Sequence, residues 1–186
     1  MTTETIRNGV NVDQLLGTIE HIKQQPDLAQ FKFRAQTHWQ GGGASQTTIQ
    51  SFYGAGQEDT SRERSFTLVG DEPAVLLGGN AGPNAVEAVL HAITSCLTVG
   101  FVYNAAAMGI EVRSLKYDVE GQLDLHGFLG LSEGVRPGYN SINVKYYVDA
   151  DAPRQKLEEL CAYVQKTSPV LDIVRNPVPV NVDLAS

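Results

Sequence analysis

Two cysteines, Cys96 and Cys161, together with Glu87 and His91, are the side chains of this 186-residue chain whose types and spacing could carry covalent or proton-transfer chemistry. A cysteine attacks as its thiolate, which needs partial access to solvent and a nearby positive charge or hydrogen-bond donors. Cys96 stands between Ser95 and Leu97 in a run that is otherwise apolar, a setting that also suits a small core residue. Glu87 precedes it by nine residues, which at about 100° per helical residue places the two on opposite faces. A carboxylate in a first helical turn has another use, because it is favoured by the helix dipole. His91 follows Glu87 by one turn, so an i,i+4 hydrogen bond could orient its imidazole. Five residues separate it from Cys96, which turns it away on a straight helix and leaves a structural histidine as the plainer reading. Cys161 shares a helical stripe with Leu157, Leu160 and Val164 and reads as a core thiol.

These side chains need elements to place them. Residues 11–25 carry Leu15, Leu16, Ile19 and Ile22 at helical spacing and stop at Pro26, which predicts an amphipathic N-terminal helix. We expect residues 1–28 to be a helical extension and 29–186 to form the main domain. Phe31 to Trp39 alternate as a half-buried strand, with the turn at Gly41, Gly42 and Gly43. Strands are also expected over 46–53 and 65–69, giving an antiparallel first third, with a polar stretch over 54–64. Residues 85–108 form a long, apolar, buried central helix, introduced by the breaker over 78–84 and stopped by Gly109. Strands follow at 110–125 and 141–150, then a helix over 152–167 and a short closing strand over 178–182. The fold class expected is α+β.

The composition narrows the function. A formal net charge of −7, with no run of Lys or Arg, leaves nothing to track a phosphate backbone, so nucleic acid is not an expected partner. The polar start lacks the basic flank and apolar core of a secretory signal, and no apolar run is long enough to span a bilayer uninterrupted, so the chain reads as cytoplasmic with no membrane partner. Neither cysteine has zinc-site spacing, and the glycine-rich segment over 78–84 lacks the ending of a phosphate loop, so neither metal nor cofactor is expected. Phe128, Leu129, Leu131 and Tyr139, with Trp39, Phe101 and Tyr103, are candidates for an apolar pocket, for core or for dimer contacts.

Five phrases carry a family resemblance: DEPAVLLGGNAGPNAVEAVLHAITSCL from Asp71, AAMGIEV from Ala106, GQLDLHGFLGL from Gly121, VRPGYNSINV from Val135 and SPVLDIVRNPVPV from Ser168. In these phrases and in the order of its elements the chain resembles the OsmC/Ohr superfamily of osmotically inducible and organic-hydroperoxide-resistance proteins. The resemblance implies an OsmC-like fold, an antiparallel sheet with a long central helix, and an intertwined homodimer with active sites at the subunit interface. It places Cys96 at the attacking cysteine. It puts Ser168 at the resolving cysteine, where a hydroxyl cannot form a disulfide and, with Pro169, instead makes a good helix start. The glutamate of the peroxidase branch falls on Val86, one residue before Glu87, which other branches carry. The arginine that holds the thiolate falls nearest to Gly43, with Arg34, Arg62 and Arg64 as substitutes.

Two functions follow. The first is a one-cysteine, thiol-dependent peroxidase of the oxidative stress response, in which Cys96, with Glu87 as a candidate catalytic partner, reduces a small apolar hydroperoxide. An external thiol reductant then regenerates it. The alternative is a protein that keeps the dimer and its interfacial pocket to bind a small apolar or thiol-bearing ligand without the peroxidase chemistry.

Overall fold

The computed structural model describes residues 4–185. The chain opens with a hairpin, β1 (Ile6–Arg7) and β2 (Val10–Asn11), then helix α1 (Val12–Gln24) and a 3-10 turn at Pro26–Ala29. Strands β3 (Gln36–Gly41), β4 (Ala44–Ile49), β5 (Phe52–Gly54), β6 (Gln57–Asp59) and β7 (Phe66–Gly70) precede the long helix α2 (Ala85–Ala107). Strand β8 (Val112–Gln122), the short helix α3 (Leu125–Phe128), strand β9 (Ser141–Ala150) and helices α4 (Arg154–Thr167) and α5 (Pro169–Arg175) complete it. Every pairing between these strands is antiparallel, so the fold is α+β. The chain divides into two compact units, Asp13–Val89 and the residues that flank it on both sides.

In the Asp13–Val89 unit the sheet order is β3-β4-β7, with β5 and β6 as a separate hairpin. The strand expected from Phe31 starts only at Gln36. Phe31 stacks on Phe52 and Phe33 packs against it at a tilt instead, with ring centroids 6.2 and 5.5 Å from that of Phe52, and Lys32 keeps a single bridge to Tyr53. Aromatic packing here outweighs continuation of the ladder. The strand expected over 46–53 is broken at Gln50 and Ser51, and the polar stretch after it contains β6.

The loop leading into α2 is tied down by one carboxylate. Asp71 is buried and accepts the backbone N–H of Glu72 at 2.8 Å and of Ala81 at 3.0 Å. These donors, Ala81 foremost, hold its carboxyl below the usual aspartate range. Asp71→Asn sets an amide donor against an N–H, and we expect the melting midpoint at roughly pH 7 to fall by about 5 °C. Because folding lowers the carboxyl pKa, its contribution is present above the unfolded value near about 4 and is lost as pH falls through the folded one. The gap between the two proteins should therefore close in acid, and thermal melts followed by circular dichroism at roughly pH 7 and pH 3 check both points.

In the flanking unit, α2 buries Ile93, Leu97, Phe101 and Ala105, one row at four-residue spacing. This row packs with Leu160 and Val164 of α4, Leu171 of α5 and the inner faces of β8 and β9. The register between β8 and β9 shifts once, between Val112 and Ser114, so that Val112 and Leu115 both reach the core although they are an odd number of residues apart. Helix α2 corrects one reading of the sequence: by length and composition it could cross a membrane, with Glu87 its one charged residue. Here its buried row supplies the core.

The N-terminal hairpin turns at Asn8 and Gly9, both at positive φ (52° and 75°), the geometry of a tight two-residue turn. The Asn8 amide donates to the Ile110 carbonyl at 2.9 Å and accepts the Val112 N–H at 2.9 Å, so a side chain takes the place of a neighbouring strand. Residues 178–182 form no strand. Val178, Val180 and Val182 are exposed, and an alternating segment becomes a strand only where another backbone offers it a ladder.

Candidate active site

Helix α2 starts in a reciprocal capping box. The Asn84 N–H donates to Glu87 Oε2 and the Glu87 N–H donates to Asn84 Oδ1, both at 2.9 Å. The Glu87 carboxylate thus satisfies a free backbone donor at the helix start. Further along, the Thr94 and Thr98 hydroxyls and the Asn104 amide donate to the carbonyls of Leu90, Thr94 and Gly100 one turn back. These polar groups are satisfied within their own helix.

Cys96 is half-buried, and the hydroxyl of Ser168 donates to its Sγ at 3.2 Å. Ser168 is only 5% exposed, because it is the N-cap of α5 and accepts the Leu171 N–H at 3.2 Å while Pro169 occupies the first turn. One hydroxyl therefore relays from a helix N–H to a sulfur, each bond polarising the other. Gly100 sets how closely α4 approaches, since a Cβ there would lie 2.9 Å from Val164 Cγ1. An open pocket of about 530 Å³ lies over the thiol. One wall is two adjacent rows of α2, His91-Ser95-Val99 and Ala92-Cys96-Gly100, and the other is Val164 and residues 167–170. Its volume suits a small ligand.

Ser168 is 72 residues from Cys96 in sequence, and the fold brings them into contact. His91, which helical spacing turns away from Cys96, lines the same pocket, because the pocket spans the groove between two rows rather than one. The apolar candidates lie elsewhere: Phe101 is fully buried, Phe128, Leu129 and Leu131 are exposed, and none of them lines the pocket. Gly100 was the missed signal, a glycine inside a helix marking close approach.

Of the substitute arginines, Arg34 makes two hydrogen bonds to Glu58, at 2.9 and 2.7 Å. Arg62 donates to the Gln50 carbonyl at 2.8 Å and lies over the rings of Phe52 and Phe66. A side chain at Gly43 would first meet Glu72 and Asp71. Burial, with Glu158 second, pushes the Cys161 thiol up, which keeps it neutral. Burial likewise raises Tyr117 to about 12, and it raises Tyr146 as well. The hydroxyls of both tyrosines are buried without a hydrogen-bond partner among the described residues, the nearby Thr98 hydroxyl being turned to its own helix.

The sequence model of the OsmC-like protein family matches residues 78–183, more than half of the chain and all of this pocket. The chain belongs to the OsmC-like family. Solved structures agree on the fold. An OsmC-like protein from Mycoplasma pneumoniae superposes with a TM-score of 0.58 at 14% identity, covering 78% of this chain and 89% of that one. A protein of Psychrobacter arcticus ascribed to osmotic stress and detoxification responses gives 0.55 at 12% identity, covering 74% and 85%. No curated protein matches the chain in sequence. In this OsmC-like chain the hydrogen bond from Ser168 is what reaches the thiol, and no Arg, Lys, Asp or Glu lines the pocket among the described residues.

Proposed function

We propose that this OsmC-like protein is a one-cysteine, thiol-dependent peroxidase that reduces small apolar hydroperoxides through Cys96. The observation that supports this most is the Ser168 hydroxyl donating to Cys96 Sγ at 3.2 Å beneath a mostly apolar pocket. A buried donor aimed at sulfur fixes the attacking atom beneath the pocket. The thiolate attacks the peroxide, becomes a sulfenic acid, and is returned to the thiol by two equivalents of an external thiol through a mixed disulfide. Such thiols belong to a reducing cytoplasm. Glu87 acts at the helix start through its capping box, upstream of the chemistry.

The test is stopped-flow reduction of tert-butyl hydroperoxide with excess thiol. Activity should persist in Cys161→Ala and fall by more than about 10²-fold in Cys96→Ser. Equal rates in Cys96→Ser and the unmodified protein overturn the reading. Saturable binding of an apolar ligand without turnover supports the binding protein instead.

The working form in this proposal is an intertwined homodimer. On α2, Val99 and Tyr103 are 51% and 46% exposed in the single chain, and Met108 just past its end is 44% exposed, an apolar surface that a second copy would cover. Sedimentation at micromolar concentration should give a dimer, and a stable monomer counts against it.

A further inference from the structure

We propose that His91 is the proton donor of this pocket, delivering a proton to the oxygen that leaves when Cys96 attacks a hydroperoxide. The inference rests on the peroxidase reading and adds the second group that the reaction needs. Attack by the thiolate on the outer peroxide oxygen forms an S–O bond and breaks the O–O bond. The remaining electron pair goes to the inner oxygen, which is a strongly basic alkoxide unless it is protonated as it departs. With an imidazolium as donor the step balances: thiolate, hydroperoxide and imidazolium give sulfenic acid, alcohol and neutral imidazole.

The pocket offers few groups for this role. Among the described residues lining it, His91 and Cys96 are the only titratable ones. Helices α4 and α5 contribute Val164, Thr167, Ser168, Pro169 and Val170 to the opposite wall, none of which titrates near neutral pH. The Ser168 hydroxyl is engaged with Cys96 Sγ and the Leu171 N–H. The His91 side chain is exposed and has no hydrogen-bond partner among the described residues, whereas His126 is paired with Asp124 at 2.7 Å. An uncommitted imidazole that shares a mostly apolar pocket with the thiol can take a proton from water and pass it to an alkoxide. Both side chains line this one pocket, His91 one row over from Cys96 on α2.

The leaving group decides the test. An alkoxide needs the proton and a carboxylate does not, so two oxidants separate proton donation from every other effect of His91. In the 186-residue protein carrying Cys161→Ala, oxidation of Cys96 is followed by stopped flow and by trapping of the sulfenic acid. Because His91 is exposed, His91→Asn should fold normally. It should slow tert-butyl hydroperoxide by about 10²-fold and peracetic acid by less than about 3-fold, and should remove the histidine limb from the pH profile of the first reaction alone. Equal slowing with both oxidants, or none with either, overturns the assignment while leaving the peroxidase reading intact. If Cys96 in the unmodified protein reacts with neither oxidant faster than a free thiol, both readings fall together.

Discussion

Ser168→Cys should close a disulfide with Cys96 as soon as the thiol is oxidised, lowering the mass by two hydrogens. The Ser168 hydroxyl already lies 3.2 Å from Cys96 Sγ, and a sulfur there needs a modest rotation to reach bonding distance. A sulfenic acid at Cys96 is then attacked within the chain instead of waiting for an external thiol. Because the bond joins residues 72 apart, the chain-entropy model gives the oxidised form about 4 kcal/mol, against about 1 kcal/mol for the weakened cap of α5. Its melting midpoint should rise by several degrees. Mass spectrometry after one equivalent of hydroperoxide and alkylation checks the bond. The unmodified protein, treated in the same way, should give no link between Cys96 and Cys161. A Ser168→Cys protein that stays a dithiol would mean that its side chain turns away from Cys96.

Phe101→Ala should cost about 3–5 kcal/mol, which for a chain of this length lowers the midpoint by about 10 °C or more. Phe101 is completely buried at the centre of the row of α2 that forms the core, with its ring centroid 6.2 Å from that of Tyr146. Tyr146 in turn meets Tyr117 edge to face at 4.7 Å. With both of their hydroxyls already unpartnered among the described residues, these tyrosines are poorly placed to fold into the cavity left behind. Urea unfolding of Phe101→Ala beside Ile173→Ala measures it. The second change, at an exposed position on α5, should stay within about 0.5 kcal/mol. Similar losses in both variants would show that Phe101 is not the centre of this core.

The order of elements was legible because local patterns were strong. Residues 141–150 alternate without a break and form β9 with those limits, and the apolar run from Ala85 becomes α2. Where local pattern competes with tertiary packing, reading by period fails. Residues 31–35 alternate as a strand does, yet Phe31 and Phe33 turn to Phe52. Residues 178–182 alternate too, but no ladder forms on them. For the site, the sequence pointed to Cys96 and to the cap at Ser168. Spacing along one helix could not show that α5 delivers that cap to the sulfur, nor that a groove between two rows admits His91.

The Asn8 clasp joins positions that are made at very different times. Its amide serves Ile110 and Val112, 102 and 104 residues further on. At about 5–20 residues per second, the ribosome delivers those backbone groups on the order of 5–20 s after the hairpin itself has been synthesised. During that interval the Asn8 amide lacks both of these partners, so the clasp cannot close until about a hundred further residues have been added.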